Sequence, residues 1–233
     1  MESEGRRLHA QAAQAREAGQ FSESLDFNDR ALFAYDLDND SLGFAEGIAC
    51  RSITLRVYAN QHDSKRILAL AKHEMMASVE IARVSGNAQA LAMPLYNLAQ
   101  VHEDLGELTD AVATYREAVD NMVNNPPDNH NRPSVLANMK LHLATCELGA
   151  GDKSAFERAT QALHELETSE EPNKYNKDVW GSGGYMRLAK ALREIDVPKA
   201  KEFLQKAKEI IDNNSKLVLR KQQWDKLASS LEV

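Results

Sequence analysis

The chain has 233 residues, of which 43% are apolar and 27% charged, with a formal net charge of −7. That is the balance of a soluble globular protein with material for one large domain or two small ones. Its best apolar run, Ile67-Leu68-Ala69-Leu70-Ala71, falls far short of the ~20 residues that cross a bilayer, so no membrane role is expected. The acidic start, Met1-Glu2-Ser3-Glu4-Gly5-Arg6-Arg7, leads into no apolar stretch and does not read as a secretory leader. Cys50 and Cys146 are too few for a disulfide framework and lie in no paired ligand motif, so a reducing, cytoplasmic setting is expected.

Good helix formers dominate, only 6 prolines and 11 glycines interrupt them, and no strand-like alternation is sustained. The reading is all-α. In chain order, Leu8, Gln11, Ala12 and Ala15 form the stripe of a first helix. Gly19 marks a turn, and Phe21, Ser24, Asn28 and Ala31 line the returning helix. Asn39 to Ser52 begins a second, less regular hairpin with a longer turn around Gln61 to Ser64; Ala71, Met75 and Ser78 close it. In the third, Leu95, Leu98, Ala99, His102 and Leu105 share a face, as do Leu108, Ala111, Val112, Tyr115, Ala118 and Val119, with Gly106 between them. Pro94 requires either a kink or a helix start near Ala92.

The segment from Asn124 to Pro133 reads as a loop ending where proline opens a helix. A fourth hairpin carries Leu143, Ala144, Gly151, Ala155, Ala159 and Ala162. Thr168 through Gly184 reads as a second loop, with Trp180-Gly181-Ser182-Gly183-Gly184 a flexible entry into the fifth hairpin. That hairpin carries Tyr185, Leu188, Ala189, Leu192, Ala200, Leu204 and Ala207, with Pro198 in the first turn of its second helix. From Lys216 onward, Leu217, Val218, Trp224, Leu227, Ala228 and Leu231 make one apolar face, suited to a helix that covers the last repeat.

The third hairpin, Leu95 through Ala118, resembles the tetratricopeptide repeat (TPR): large residue, Leu, small residue, Gly, Ala, aromatic and Ala stand at the repeat's offsets, with His102 and Leu108 where aromatics are usual. The last small position of each hairpin falls at Ala31, Ser78, Ala118, Ala162 and Ala207. These spacings of 47, 40, 44 and 45 exceed the 34-residue TPR period and are similar to the longer units of signalling adaptors and peptide receptors. The resemblance implies a right-handed α-α superhelix, a TPR-like solenoid, spanning 1–233 as a single domain. Its repeats would lie at about 5–38, 39–85, 86–125, 133–168 and 176–212, with a C-terminal capping helix at about 215–231.

No catalytic motif emerges. His73-Glu74-Met75-Met76-Ala77 lacks the second histidine of a zinc-protease helix, and the seven histidines are scattered. Neither a metal nor a cofactor is expected. Asn39-Asp40-Ser41 and Asn213-Asn214-Ser215 match a glycosylation pattern relevant only to a secreted chain.

The TPR resemblance implies instead a protein-interaction scaffold whose first helices line a concave groove. The groove residues are then Tyr96, Asn97, Gln100, Glu103 and Asp104 in the third repeat, Asn138, Leu141, His142 and Thr145 in the fourth, and Met186, Arg187, Lys190 and Arg193 in the fifth; of these Tyr96, Asn97, Gln100, Asn138, His142, Arg187, Lys190 and Arg193 are the candidate partner contacts. An Asn amide suits a peptide backbone because it donates and accepts at once. The Lys and Arg positions of the carboxylate-holding chaperone receptors are absent, which argues against that TPR subtype. Residues 1–180 are net −11 and 181–233 net +4; the acidic body disfavours nucleic acid, and the basic end favours an acidic partner peptide. Two alternatives stand beside the scaffold: a peptide-responsive regulator, and a structural homo-oligomer joined through its acidic and basic ends.

Overall fold

The computed structural model describes residues 3–231. Eleven α-helices and no strand occur among them: α1 Glu4–Glu17, α2 Phe21–Leu37, α3 Ser41–Gln61, α4 Lys65–Val84, α5 Ala92–Leu105, α6 Leu108–Asn124, α7 Pro133–Gly149, α8 Ala155–Thr168, α9 Lys174–Leu192, α10 Val197–Asp212 and α11 Val218–Ser230. They divide into two compact units, residues 1–127 and 128–233.

Local chemistry sets the helix ends. Ser3, Asp40, Ser64, Asn173 and Asp196 accept hydrogen bonds from backbone N–H groups in the first turns of α1, α3, α4, α9 and α10. Gly106 adopts φ 79° between α5 and α6, the left-handed conformation that only glycine reaches without strain. Asn39 takes the same role between α2 and α3 at φ 53°, asparagine being the residue that best tolerates it after glycine. At Pro94 the helix starts late: α5 begins at Ala92 after a short 3₁₀ turn at Ala88–Ala90, so the proline sits in the first turn, where no N–H is needed.

In the first unit α1 pairs with α2, α3 with α4, and α5 with α6. The first helices also meet one another, α1 against α3 and α3 against α5. Small side chains permit the close approach: Ala12, Ala31, Ala71, Ala99, Ala111 and Ala118 have no exposed surface. Serine fills some of the same small positions and turns them into cross-helix ties. Ser24 Oγ donates to the Ala12 carbonyl at 2.8 Å, Ser52 to Ala71 at 2.7 Å and Ser78 to Ala45 at 2.9 Å.

In the second unit α7 pairs with α8 and α9 with α10, α7 meets α9, and α11 rests on α9 and α10. One apolar cluster joins Leu141, Leu163, Leu166, Leu188 and Leu204, with Trp224 and Leu227 of α11 packed against it. The Trp224 indole N–H donates to the Leu204 carbonyl at 2.9 Å, satisfying its polar atom at the edge of the cluster.

One expectation is corrected here. The stretch Thr168 through Gly184 is not a loop: α9 begins at Lys174 and runs unbroken through Gly181-Ser182-Gly183-Gly184. The glycines are there because neighbours come close. A Cβ on Gly184 would lie 2.5 Å from Leu141 Cδ2, and one on Gly183 would lie 3.1 Å from Arg220 Nη2. Ser182 fits the same tight space by donating to the Asp178 carbonyl within its own helix at 2.6 Å.

Candidate partner-binding faces

The face built by the first helices carries much of the polar chemistry between neighbouring hairpins. In the first unit Arg6 of α1 pairs with Glu46 of α3. Arg56 of α3 reaches Asp104 of α5 at 2.6 Å, and Asn60 donates to the same carboxylate at 2.7 Å. On α5, Tyr96 lies against Tyr115 with ring centroids 5.9 Å apart, and Tyr115 Oη donates to Glu103 at 3.0 Å. Asn97 is half-buried; its Oδ1 accepts from Gln100 Nε2 at 3.3 Å, and its amide nitrogen has no protein partner among the described residues.

In the second unit Arg187 Nε of α9 donates to Thr145 Oγ1 of α7 at 3.0 Å, one turn from His142. Asn138, His142 and Thr145 follow one stripe of α7, and Arg187 closes on that stripe from α9. Lys190 is exposed, and Arg193, at the end of α9, pairs with Glu194 at 3.3 Å. Tyr96, Asn97 and Gln100 thus belong to one unit, and the other five candidate residues to the second.

Within each face exposure varies. Tyr96, Gln100 and Asn138 are less than a tenth exposed, Asn97, His142 and Arg187 are half-buried, and Lys190 and Arg193 stand in solvent. Sequence reasoning missed Arg56 and Asn60. Arg56 stands where Glu103 stands in the third hairpin once Asn39–Ser52 is laid over Gly86–Ala99, so the signal was present in the repeat register.

His102, where TPR resemblance expects an aromatic, forms a turn lock with Glu107: Nδ1 lies 2.6 Å from its carboxylate, and Lys72 Nζ contacts both carboxylate oxygens at 2.7 and 2.8 Å. Those two partners, Lys72 foremost, hold Glu107 below the usual carboxylate range. His102, Glu107 and Asp110 bring potential metal-ligand atoms within 4.8 Å of one another, but the ammonium of Lys72 already occupies the central carboxylate. Cys50 and Cys146 are buried free thiols; burial pushes Cys50 up despite Arg16 3.5 Å away, the setting of a packing residue rather than a nucleophile.

His9 of α1 makes the first unit pH-sensitive. Burial, reinforced by the charges of Arg6 and Arg16, pushes its imidazole down to about 4, and its Nδ1 is buried with no hydrogen-bond partner. The unfolded chain protonates near 6.5, so the stability that neutral His9 carries is complete above that pH and is lost as the pH falls from 6.5 toward 4. The loss is on the order of 3 kcal/mol. Urea midpoints followed between pH 7 and 4 are expected to fall more steeply for the wild-type chain than for His9→Gln; identical slopes would show that His9 is not held neutral.

Helical hairpins whose first helices meet face to face and whose inner positions are alanine or serine define a TPR-like repeat fold. Comparison with solved structures agrees. A Podosopora anserina protein assigned as a kinesin light chain with nearly identical TPR-like repeats superposes, in a single-site variant, with a TM-score of 0.59 at 16% identity, over 91% of this chain and 98% of that one. A second structure of the same description gives 0.56 at 15% identity, over 97% and 99%. No family model matches the sequence, and no curated protein matches it significantly. No helix among the described residues is long and apolar enough to cross a membrane.

Proposed function

We propose that the protein is an interaction scaffold in which each unit holds an extended segment of a partner protein along the face of its own first helices. TPR-like stacks serve in general as protein-interaction scaffolds, and the reading assigns this chain no catalytic residue and no cofactor. The observation that carries it is the Asn97 amide: half-buried, oriented by Gln100, and with its NH₂ group free to donate to a peptide carbonyl. Tyr96 and Gln100 support Asn97 from the same helix. In the second unit His142 and Arg187 supply donors beside the buried Asn138, and Lys190 and Arg193 offer positive charge to an acidic stretch of the partner.

Such a face contributes many modest hydrogen bonds rather than one deep pocket, which corresponds to micromolar affinity, about −8 kcal/mol. Panning a randomised peptide display library on the protein is expected to yield binders of that strength. Asn97→Ala is expected to weaken them about fivefold, roughly 1 kcal/mol, with the circular dichroism spectrum unchanged. Selected peptides that bind wild type and Asn97→Ala equally would reject the assignment of this face.

A further inference from the structure

Three basic side chains of α1 share one stripe of the helix, Arg6, His9 and Arg16, with Ala13 between the last two. The stripe meets α3: Arg6 pairs with Glu46, and Arg16 Nη1 donates to Cys50 Sγ at 3.5 Å. Residues 1–127 contain 19 acidic and 11 basic side chains, so a stripe bearing only cations runs against the charge of its own unit. Ala10 is exposed and Ala13 partly so, and neither methyl is long enough to cover the polar groups beside it.

Arg16 carries the first observation. Its side chain is only 12% exposed, yet its ion pair is with its chain neighbour Glu17, itself 45% exposed, at 3.5 Å. Less enclosed cations of the same unit are better met. Arg56 reaches Asp104 at 2.6 Å, Lys72 reaches Glu107 at 2.7 Å, and Arg51 reaches Asp29 at 2.8 Å as well as Glu74. A thiol is a weak acceptor, and burial pushes Cys50 up, so the sulfur stays neutral and does not answer the charge of Arg16. The last turn of α1 lends a favourable dipole, which is small beside the cost of enclosing a cation without a well-placed anion.

His9 supplies the second. Its Nδ1 is enclosed with no acceptor in reach, so the neutral ring carries its proton on Nε2. Nε2 is not enclosed and makes no hydrogen bond among the described residues. It is an accessible N–H donor. Arg6 and Arg16 both lie near enough for their charges to act on the ring, which puts this donor in a field that favours an anion. Arg6 is already met by Glu46, so a single negative charge matches what remains. A carboxylate has the right form: a guanidinium takes two oxygens in one plane, and a lone pair is left for the imidazole N–H.

We propose that His9 and Arg16 together bind the side-chain carboxylate of an aspartate or glutamate in a partner polypeptide, Arg16 taking both oxygens and His9 Nε2 donating to one of them. The site rests on the reading that the first unit holds an extended segment along its first helices, and it specifies what that segment carries. Asn97 stands on α5 and His9 on α1, with α3 touching both helices. Two interaxial steps of about 8–10 Å correspond to roughly five or six residues of extended chain. The acidic residue is therefore expected about that many positions from the peptide group held by Asn97.

Peptides panned from a randomised library on the full wild-type chain are expected to be enriched in Asp or Glu at one position. Changing that residue to Asn or Gln should weaken binding at least tenfold. Arg16→Met, which keeps the stem and removes the charge, should weaken the acidic peptide to the same degree and leave its amide form unaffected. Because it also removes an enclosed cation, it should not lower the urea midpoint, whereas loss of a merely structural residue would lower stability and spare binding. Arg16→Lys should recover part of the affinity, and His9→Phe, which keeps the ring volume, should lose threefold or more. Absence of acidic enrichment, or equal effects of Arg16→Met on the acid and amide peptides, would overturn the proposal; if Asn97→Ala still weakened those peptides, the face would stand and this site alone would fall. Acid-dependent binding that Arg16→Met abolishes and Asn97→Ala spares would support the carboxylate site and reject the contact at α5. An equal gain from a free C-terminus in a peptide lacking acidic side chains would overturn the choice of a side-chain carboxylate.

Discussion

Truncating Tyr115 to alanine is expected to cost about 4 kcal/mol of stability, the range of large aromatic deletions from a core. Tyr115 has no exposed surface, lies against Tyr96, and donates its hydroxyl to Glu103. The truncation leaves a cavity between α5 and α6, which a rigid pair of helices fills only partly. Tyr115→Phe separates the two contributions: it keeps the ring and loses one hydrogen bond to a half-buried carboxylate that can rehydrate, so about 1 kcal/mol is expected. Urea denaturation and amide exchange across residues 92–124 provide the measurement. A loss below about 1 kcal/mol for Tyr115→Ala would mean that this hairpin is not packed as described.

Arg56→Ala is expected to cost about 3 kcal/mol, because it takes from the largely buried Asp104 carboxylate the cation that ties α3 to α5. Both side chains of the pair are about one-fifth exposed, 19% and 20%, so water repays part of the loss and the effect falls at the low end of buried pairs. Replacing both, Arg56→Met with Asp104→Leu, removes the two desolvation costs together and is expected to return within about 1 kcal/mol of wild type. A single-variant loss of only a few tenths would class the pair with solvent-exposed ion pairs and remove it as a tie between the first helices.

The third hairpin was the most legible part of the chain. Its apolar positions recur at three and four on both helices, Gly106 separates them, and every small position expected there is buried. The second was harder to read because Asn39 and Asp63 supply the left-handed turns that glycine marks elsewhere, and because serine replaces alanine at Ser52 and Ser78. Gly181, Gly183 and Gly184 misled most directly. In isolation three glycines within four residues signal a loop, whereas here they are the price of bringing Leu141 and Arg220 onto the surface of α9. Among the candidate binding residues, polarity on a first helix was readable but exposure was not. Asn97 keeps a free amide group, while Asn138 is enclosed.

By itself the sequence determined the helical class, the pairing of helices into hairpins, and the small residues at which they cross, since each follows from periodicity, capping and side-chain volume within a few turns of chain. Tertiary structure alone decided which polar groups were consumed in joining hairpins and which were left over. Arg56 finds Asp104 across 48 residues, and Arg187 finds Thr145 across 42. The Tyr35 hydroxyl finds nothing, because the glycines of two other helices hold its ring where no protein acceptor reaches. Such pairings depend on distances between helices far apart in the chain, and no local pattern encodes them.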